Sequence, residues 1–254
     1  MSLFEAAAIL LAGVGAGTIN TVVGSGTLIT FPTLLAFGVP PVVANVSNNI
    51  GLVPGSVTGA IGYRRELAGQ RSRVLRLASA SLLGAVVGAV LLLVLPPGAF
   101  EAIVPALILL GVVLVVVQPR LSAWVARRHA ERGAPARDLA WWVWPAVLLT
   151  GVYGGYFGAA QGVLLMAVLG IGVQETLQRL NGVKNVLAAI VNGVAGLIFA
   201  VVAEVDWTIV LLIGIGAVIG GLIGASVGRR LSPLALRMVI VVVGLVAFTA
   251  FLLP

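Results

Sequence analysis

Residues 18–27 read Thr-Ile-Asn-Thr-Val-Val-Gly-Ser-Gly-Thr and break an otherwise apolar N-terminal stretch. A long apolar run, residues 3–23, leads into this break, and a shorter one, residues 26–39, leaves it. Gly24 and Gly26 allow the backbone to depart from helix geometry. At membrane depth such a departure is tolerated only where the backbone is buried in protein or lines a water-filled cavity. The break therefore predicts a helix that is interrupted inside a membrane, at a place suited to binding.

A second break of the same kind lies in the other half of the chain. Residues 153–162 read Tyr-Gly-Gly-Tyr-Phe-Gly-Ala-Ala-Gln-Gly, and a short apolar run, residues 160–173, follows. Here Gly158 and Gly162 supply the flexible positions. We interpret these two glycines, together with Gly24 and Gly26, as hinge or unwound positions.

The composition places both breaks in a membrane. Of 254 residues, 60% are hydrophobic and 9% are charged, and the mean hydropathy is +1.17. A soluble domain usually carries about 25% charged residues, so this composition excludes an ordinary soluble enzyme, a disordered chain and a nucleic-acid binder. The absence of cysteine excludes disulfides, thiolate metal sites and cysteine nucleophiles.

The apolar runs predict ten membrane-inserted segments. A helix needs about 20 apolar residues to cross a bilayer. Eight runs are long enough, namely 3–23, 42–62, 77–95, 99–117, 141–158, 184–203, 207–228 and 234–253. The runs 26–39 and 160–173 have only about 14 residues each, which suits broken or re-entrant segments. The predicted fold is an all-α polytopic membrane protein with eight long transmembrane helices and two short segments.

The arginines predict the orientation of these segments. Cytoplasmic loops collect Lys and Arg, and 13 of the 15 basic residues lie in three clusters, at 64–76, 118–140 and 229–237. The intervening turns near residues 96–101 and 204–206 contain acidic residues and no Lys or Arg. The three clusters are therefore predicted to face the cytoplasm and both termini to lie outside.

The two halves share a layout that predicts an inverted repeat. Residues 15–63 can be laid over residues 151–197, with Gly26 meeting Gly162, and the charge pattern ends one copy inside and the other outside. Inverted repeats are typical of secondary transporters, whose substrate site lies where broken helices meet. The alternative explanation is the plain alternation of spans that every polytopic protein shows. The predicted domains are an N-terminal repeat (1–117), a cytoplasmic Arg-rich linker (118–140) and a C-terminal repeat (141–254).

Polar residues cluster at the breaks and at the helix starts that follow them. Asn45, Asn48 and Asn49 fall at i, i+3 and i+4 on one helix face, and Asn181, Lys184 and Asn185 repeat this spacing in the second half. Helix N-termini favour anions because their N–H groups have no intrahelical acceptor. The candidate substrate-binding residues are Ser25, Thr27, Asn45, Asn48, Asn49, Gln161, Asn181, Lys184 and Asn185.

Two basic residues of the second half allow two interpretations. Arg179 and Lys184 either belong to the site or mark the cytoplasmic side of the membrane. For Arg179 the marker interpretation is favoured, whereas for Lys184 the two are balanced. An ionisable residue inside a membrane is a functional candidate by default.

The predicted site suits an anion better than a cation. It offers amides, hydroxyls and one cationic side chain, whereas Glu175, Glu204 and Asp206 are predicted to lie in wet turns. The lone histidine, His129, falls in the Arg-rich linker, which excludes a buried histidine relay. No cofactor and no metal site are expected, and a proton or sodium ion is a possible coupling ion.

The motifs resemble those of the sulfite exporter TauE/SafE family, also called the 4-toluene sulfonate uptake permease family. The resemblance is carried by residues 15–20, 24–27, 31–35, 38–45 and 54–56, and it covers essentially the whole chain. It implies a carrier of sulfite, sulfoacetate or another organosulfonate in a bacterial or archaeal cytoplasmic membrane, with export the commoner assignment.

The function predicted from the sequence is therefore secondary transport of a small sulfur-containing anion by alternating access. The partners expected are the anion and the lipid bilayer, and no nucleic acid. A passive anion channel is one alternative. A membrane-embedded accessory protein or enzyme is another, although no buried acid–base pair or nucleophile supports an enzyme.

Overall fold

A computed structural model of the chain describes residues 1–131, 139–226 and 233–252. Within these residues the protein consists of ten α-helices and no β-strand. The helices are α1 (Leu3–Val22), α2 (Thr27–Ala36), α3 (Pro41–Gly62), α4 (Arg71–Val94), α5 (Pro97–Glu131), α6 (Val143–Tyr156), α7 (Gln161–Gly172), α8 (Leu177–Val202), α9 (Trp207–Ser226) and α10 (Pro233–Leu252). The predicted all-helical class is confirmed.

The lengths of the helices match the predicted segments in part. Within the described residues, α1, α4, α5, α8 and α9 combine the length and the hydropathy of a membrane span. The two short segments are separate apolar helices, α2 with 10 residues and α7 with 12. The count of eight long spans stays a prediction, because α6 has only 14 residues and is shorter than the apolar run that predicts it.

Two helices begin or end beyond their apolar runs. Helix α8 starts at Leu177, where the Thr176 side chain accepts a hydrogen bond from the Arg179 N–H and so caps the helix. Lys184 consequently lies two turns inside α8. Helix α5 continues to Glu131, so the first part of the predicted linker is helical. Residues 132–138 of that linker, and residues 227–232 at the predicted cytoplasmic turn 229–237, lie outside the described residues.

The short helices fold back on the helices that precede them. The rings of Phe4, at the start of α1, and Phe37, just after α2, pack edge to face with their centroids 6.2 Å apart. In the second half, the Ala140 N–H before α6 donates to the Gly172 carbonyl at the end of α7, at 3.1 Å. Each break is therefore the tip of a helical hairpin, α1–α2 in one half and α6–α7 in the other.

Glycines line the two most extensive helix–helix contacts, α1 on α9 and α4 on α6. Gly13 and Gly17 of α1 lie against Ile213 and Ala217 of α9, where a Cβ would meet backbone atoms. The contacts advance in the same direction along both helices, so α1 and α9 run parallel. Helices α4 and α6 pack in the same way through Gly84, Gly88, Gly151 and Gly155. Small residues allow such close approach between helices in membranes.

The packing partners of the two halves correspond. Exchanging α1–α5 for α6–α10 turns the α1–α9 contact into α6–α4 and the α3–α9 contact into α8–α4. It also turns α5–α7 into α10–α2, and it leaves the α3–α8 and α5–α10 contacts unchanged. Corresponding helices of the two halves thus have corresponding packing partners, and α3 and α8 pack against each other.

Candidate functional site

The tips of the two hairpins meet at the centre of the molecule. The Gly162 N–H at the start of α7 donates to the Gly24 carbonyl in the first break, at 2.9 Å. A Cβ on either glycine would overlap with the backbone of the other. The two predicted breaks, 138 residues apart by their glycine numbers (162 − 24), are therefore in direct backbone contact.

The four candidate hinge glycines divide into two kinds. Gly24 and Gly158 have left-handed backbones, with φ of 95° and 75°, a conformation that glycine adopts at little cost. They are structurally equivalent, because in each break one carbonyl, five residues before the glycine, accepts from the N–H groups of the glycine and of the residue before it. These carbonyls are those of Ile19 and Tyr153. Gly26 has a helical backbone at the N-cap of α2, and Gly162 lies in the first turn of α7. Both of these allow close packing rather than unwinding.

The N–H groups at the start of α7 already have acceptors. Gln161 donates to the Gly158 carbonyl, Gly162 to the Gly24 carbonyl and Val163 to the Ala160 carbonyl. Neither α2 nor α7 has a side-chain cap at its N-terminus. An anion at this junction would therefore meet side-chain donors first, and not a row of free N–H groups at α7.

Lys184 is fully buried and binds the end of α1. Its side chain is 0% exposed, and its ammonium donates to the carbonyls of Asn20 at 2.9 Å and Thr21 at 3.1 Å. The last carbonyls of a helix have no intrahelical donor, and they carry the negative end of the helix dipole. Lys184 is thus a buried cation at the end of α1, and its role as a substrate-binding residue rather than a topology anchor stays a prediction.

The two asparagines beside Lys184 bind the same helix end. The Asn181 amide donates to the Thr21 carbonyl at 3.2 Å, and the Asn185 amide donates to it at 3.4 Å. The predicted i, i+3, i+4 face of α8 therefore converges on one turn of α1. Asn181 and Asn185 are 7% and 4% exposed.

The equivalent face of α3 divides its contacts among three helices. Asn48 accepts a short hydrogen bond from the Thr30 hydroxyl and donates to the Thr27 hydroxyl at 3.2 Å, so it binds α2. Asn45 donates to the Tyr156 carbonyl at the end of α6, at 2.9 Å. Asn49 lies beside Gly196 of α8, and its side-chain oxygen has no hydrogen-bond partner.

The two polar faces occupy equivalent places in the two halves. Asn45 lies four residues after the start of α3 at Pro41, and Asn181 lies four residues after the start of α8 at Leu177. Each face then binds the C-terminal end of the first helix of the opposite half. In this correspondence Asn48 matches Lys184, so only one of the two faces carries a charge.

Several buried polar atoms at the junction have no partner. They are the Ser25 hydroxyl, the Gln161 side-chain nitrogen, the Tyr156 hydroxyl and the side-chain oxygens of Asn45, Asn49 and Asn181. Buried polar groups are nearly always hydrogen-bonded, so such a group needs an explanation. Ser25, beside Gly24, and Gln161, beside Gly162, place two unused donors next to the contact between the tips.

The carboxylates lie away from this centre. No carboxylate whose side chain the structure describes is buried. Glu175, in the turn before α8, forms ion pairs with Arg73 at 3.2 Å and Arg179 at 2.7 Å. Arg179 also donates to the Ala68 carbonyl at 3.2 Å. Arg179 thus belongs to a partly exposed ion-pair cluster and not to the site around Lys184.

The pKa of Glu175 is lower than that of an ordinary glutamate. Partial burial raises it, but the hydrogen bonds and positive charges of Arg73 and Arg179 together lower it by more. The carboxylate therefore stays ionised down to lower pH in the folded protein than in the unfolded chain.

A third polar cluster was not among the candidate residues. The Ser56 hydroxyl accepts hydrogen bonds from the Asn20 and Asn192 amides, both at 3.2 Å, and so joins α1, α3 and α8. The spacing could have indicated it, because Ser56 and Asn192 lie seven residues after Asn49 and Asn185 on the same helix faces. Thr30 was also missed, because its role depends on Asn48, which is distant in the sequence.

The centre is closed in this structure. All nine candidate binding residues are at most 7% exposed. A groove of about 760 Å³ lies between α3, α8 and α9, but it is apolar, and no candidate binding residue lines it. Among the described residues no group of three or more His, Cys, Asp or Glu side chains could hold a metal ion. The arrangement can offer a buried cation and neutral donors to a small anion once the tips separate.

Comparisons with known proteins identify a family and several relatives. The family model described as "Sulfite exporter TauE/SafE" matches residues 9–251. A "Probable membrane transporter protein ORF9" of Sinorhizobium sp is 27% identical over 237 residues, covering 91% of this chain and 85% of the relative. "Probable membrane transporter protein YfcA" of Escherichia coli (strain K12) is 26% identical over 217 residues, or 85% of this chain and 76% of the relative. No solved structure matches the chain at a significant level.

Proposed function

Because the chain belongs to the sulfite exporter TauE/SafE family, we propose that it is a secondary transporter that exports a small sulfur-containing anion, sulfite or an organosulfonate such as sulfoacetate. The coarser conclusion, a membrane transporter rather than an enzyme, follows from the family and from the names of the relatives. One observation carries the choice of an anion: the fully buried Lys184 ammonium has carbonyl partners and, among the residues that the structure describes, no carboxylate partner.

The charge of the site supports an anionic substrate. A buried ammonium without a counter-ion is costly, and the dipole of α1 offsets only part of that cost. An ammonium has three donors, and two of them are used by Asn20 and Thr21. One donor remains for the anion, and Ser25 and Gln161 supply neutral donors beside it.

The residues proposed to bind the substrate therefore belong to both halves of the chain. Ser25, Thr27, Asn45, Asn48 and Asn49 belong to the N-terminal half. Gln161, Asn181, Lys184 and Asn185 belong to the C-terminal half. Substrate bound between them would contact both hairpins, which is the arrangement found in transporters built from inverted repeats.

Alternating access is proposed as the mechanism, with the two halves as inverted repeats that rock about the junction. The exchange of packing partners between the halves supports this proposal, as do the equivalent backbones of Gly24 and Gly158. The single hydrogen bond from Gly162 to Gly24 is a contact that such a motion would break and remake. The proposed location is the cytoplasmic membrane of a bacterium or archaeon, with both termini outside.

A binding screen on purified protein tests the substrate class. Sulfite, sulfoacetate, taurine, thiosulfate, sulfate and chloride would be compared by thermal shift and calorimetry. Sulfite or a sulfonate should stabilise the wild-type protein more than chloride does, and Lys184→Met should remove this effect. Arg179→Ala is the matched control, because it removes a positive charge of the cytoplasmic ion-pair cluster. Equal stabilisation by every anion would contradict the proposal.

Counterflow in proteoliposomes separates a carrier from a passive channel. Unlabelled sulfite trapped inside the vesicles should drive transient uptake of labelled sulfite if the protein is a carrier. A carrier that brings unlabelled sulfite out of the vesicle can return with labelled sulfite bound. A channel would only equilibrate the label. The accessory-protein alternative predicts neither binding nor flux.

A further inference from the structure

The end of α1 has the features of a cation site, and Lys184 fills it. The carbonyls of Asn20 and Thr21 both accept from the ammonium, at 2.9 and 3.1 Å. The side-chain amides of Asn181 and Asn185 donate to the same Thr21 carbonyl. Main-chain carbonyls at a helix end are ligands suited to a small hard cation.

The corresponding end of α6 accepts its hydrogen bond from a neutral side chain. Its Tyr156 carbonyl accepts from the neutral Asn45 amide. Asn48, which matches Lys184 in position, turns instead to Thr27 and Thr30 of α2. Capping a helix end therefore does not require a charge in this fold, and the positive charge at the end of α1 needs another explanation.

Broken helices in transporters commonly bind their coupling cation through C-terminal carbonyls, while the nearby helix starts hold an anionic substrate. We propose that the Lys184 ammonium stands in place of such a coupling cation. This inference rests on the proposed function as an anion transporter. It assigns a fixed, covalently attached cation to the site, so that the protein carries its anion without binding sodium or potassium.

A vacant version of this site should accept a free cation. Lys184→Ala removes the ammonium but keeps the Asn20 and Thr21 carbonyls that bind it. Sodium, ammonium or methylammonium should then bind at the end of α1, whereas N-methylglucamine is too large to enter. A free cation would restore the charge that the anion needs.

The first measurement needs no anion substrate. Thermal unfolding of wild type and of Lys184→Ala is followed in sodium, ammonium, methylammonium and N-methylglucamine chloride at matched ionic strength. The small cations should raise the melting temperature of Lys184→Ala by a few degrees, and that of the wild type not at all. Asn192→Ala is the matched control, because it empties a buried polar position on the same helix without removing a group that donates to the Asn20 or Thr21 carbonyl.

The second measurement uses anion binding. Wild-type affinity for sulfite or sulfoacetate should be the same in sodium, potassium and N-methylglucamine media. Lys184→Ala should lose about ten- to hundredfold in affinity in N-methylglucamine and regain most of it with ammonium or sodium. A wild type that requires sodium would overturn the inference, as would a Lys184→Ala protein that gains nothing from small cations.

Two further outcomes are informative. If the wild type binds none of the anions in any medium, the proposed function fails, while the thermal measurement still decides whether a cation site exists. If Lys184→Ala does not fold in N-methylglucamine, its yield of folded protein in ammonium chloride becomes the readout. Rescue of folding by ammonium supports the inference, and an unchanged yield overturns it.

Discussion

Lys184 combines a charge with a geometry that other side chains would not reproduce. Its ammonium is compact and carries three donors on a flexible stem, whereas a guanidinium is a broad planar fork. The two carbonyls it binds belong to consecutive residues, Asn20 and Thr21, at the end of one helix. The lone lysine among 15 basic residues is thus found where a small cationic head is needed.

Substitution of Lys184 should affect anion binding in a graded way. Lys184→Met should abolish detectable binding, and Lys184→Arg should weaken it, because guanidinium does not fit a space shaped by two adjacent carbonyls. Loss of a charge-assisted hydrogen bond costs about 1.5–3 kcal/mol, or roughly ten- to hundredfold in affinity. Calorimetry on folded protein checks this. An unaltered Kd in the Met variant would remove Lys184 from the site.

Gly24 and Gly38 offer a matched pair for the role of the tip contact. Both have positive φ, of 95° and 77°, so alanine strains the backbone at either position. A Cβ on Gly38 meets nothing within 4 Å, whereas one on Gly24 overlaps with Gly162. Gly24→Ala should therefore lower transport and stability far more than Gly38→Ala, whose cost is about 1 kcal/mol of strain. Equal effects in thermal unfolding and flux would show that the contact is unimportant.

The sequence was informative about which residues share a face, and uninformative about what that face touches. Periodicity places Asn181, Lys184 and Asn185 together because a helix repeats every 3.6 residues. Their acceptors, the carbonyls of Asn20 and Thr21, lie over 160 residues away and belong to the main chain, which carries no side-chain signature. Helix starts at the breaks were predicted to favour an anion, but the first three N–H groups of α7 already have acceptors, one of which lies in the opposing break.

At the scale of helices, the three asparagines of α3 should separate stability from binding. Asn48→Leu leaves Thr27 and Thr30 without their partner and should cost about 1–3 kcal/mol of stability. Asn49→Leu removes a side chain whose oxygen accepts no hydrogen bond, so it should leave the melting temperature nearly unchanged while weakening anion binding. Thermal unfolding and calorimetry on both variants test this. A larger loss of stability in Asn49→Leu would reverse the assignment.

The ion-pair cluster around Glu175 joins helices from the two halves at the predicted cytoplasmic side. Arg73 belongs to α4, Arg179 to α8, and both contact Glu175. Gln70 adds hydrogen bonds to the Glu66 and Arg179 carbonyls. Opening of the centre toward the cytoplasm would separate these elements, so the cluster is placed where it would oppose that motion.

Acid should weaken this cluster. The pKa of Glu175 is lowered in the folded protein, so its stabilising contribution is fully present above the ordinary carboxyl pKa and is lost as the pH falls through the lowered value. Glu175→Gln should therefore be less stable than wild type near neutral pH and equal to it in acid. Thermal unfolding across the pH range measures this. Glu101→Gln controls for the loss of one negative charge, and a constant difference at every pH would contradict the prediction.

For the whole molecule, hydropathy predicted the helical class and the two short segments, since apolar length reflects the bilayer. It did not predict the extent of α5, because polar helical turns continue beyond the apolar run at residues 118–131. The overlay that paired Gly26 with Gly162 also differs from the structural equivalence of Gly24 and Gly158. In a glycine-rich chain, spacing alone does not distinguish a left-handed glycine from one needed for close packing.

The orientation of the molecule is predicted from its charge distribution, and the direction of its helices is consistent with that prediction. Thirteen basic residues lie in three clusters predicted to be cytoplasmic, and the parallel packing of α1 on α9 requires both helices to start on the same side. Single cysteines in this cysteine-free chain test the orientation with an impermeant maleimide on intact cells. Gly98→Cys and Glu204→Cys should be labelled from outside, whereas Ala68→Cys and Ala130→Cys should react only after permeabilisation. Labelling of either alanine position in intact cells would invert the topology, and with it the assignment of the Glu175 cluster to the cytoplasmic side.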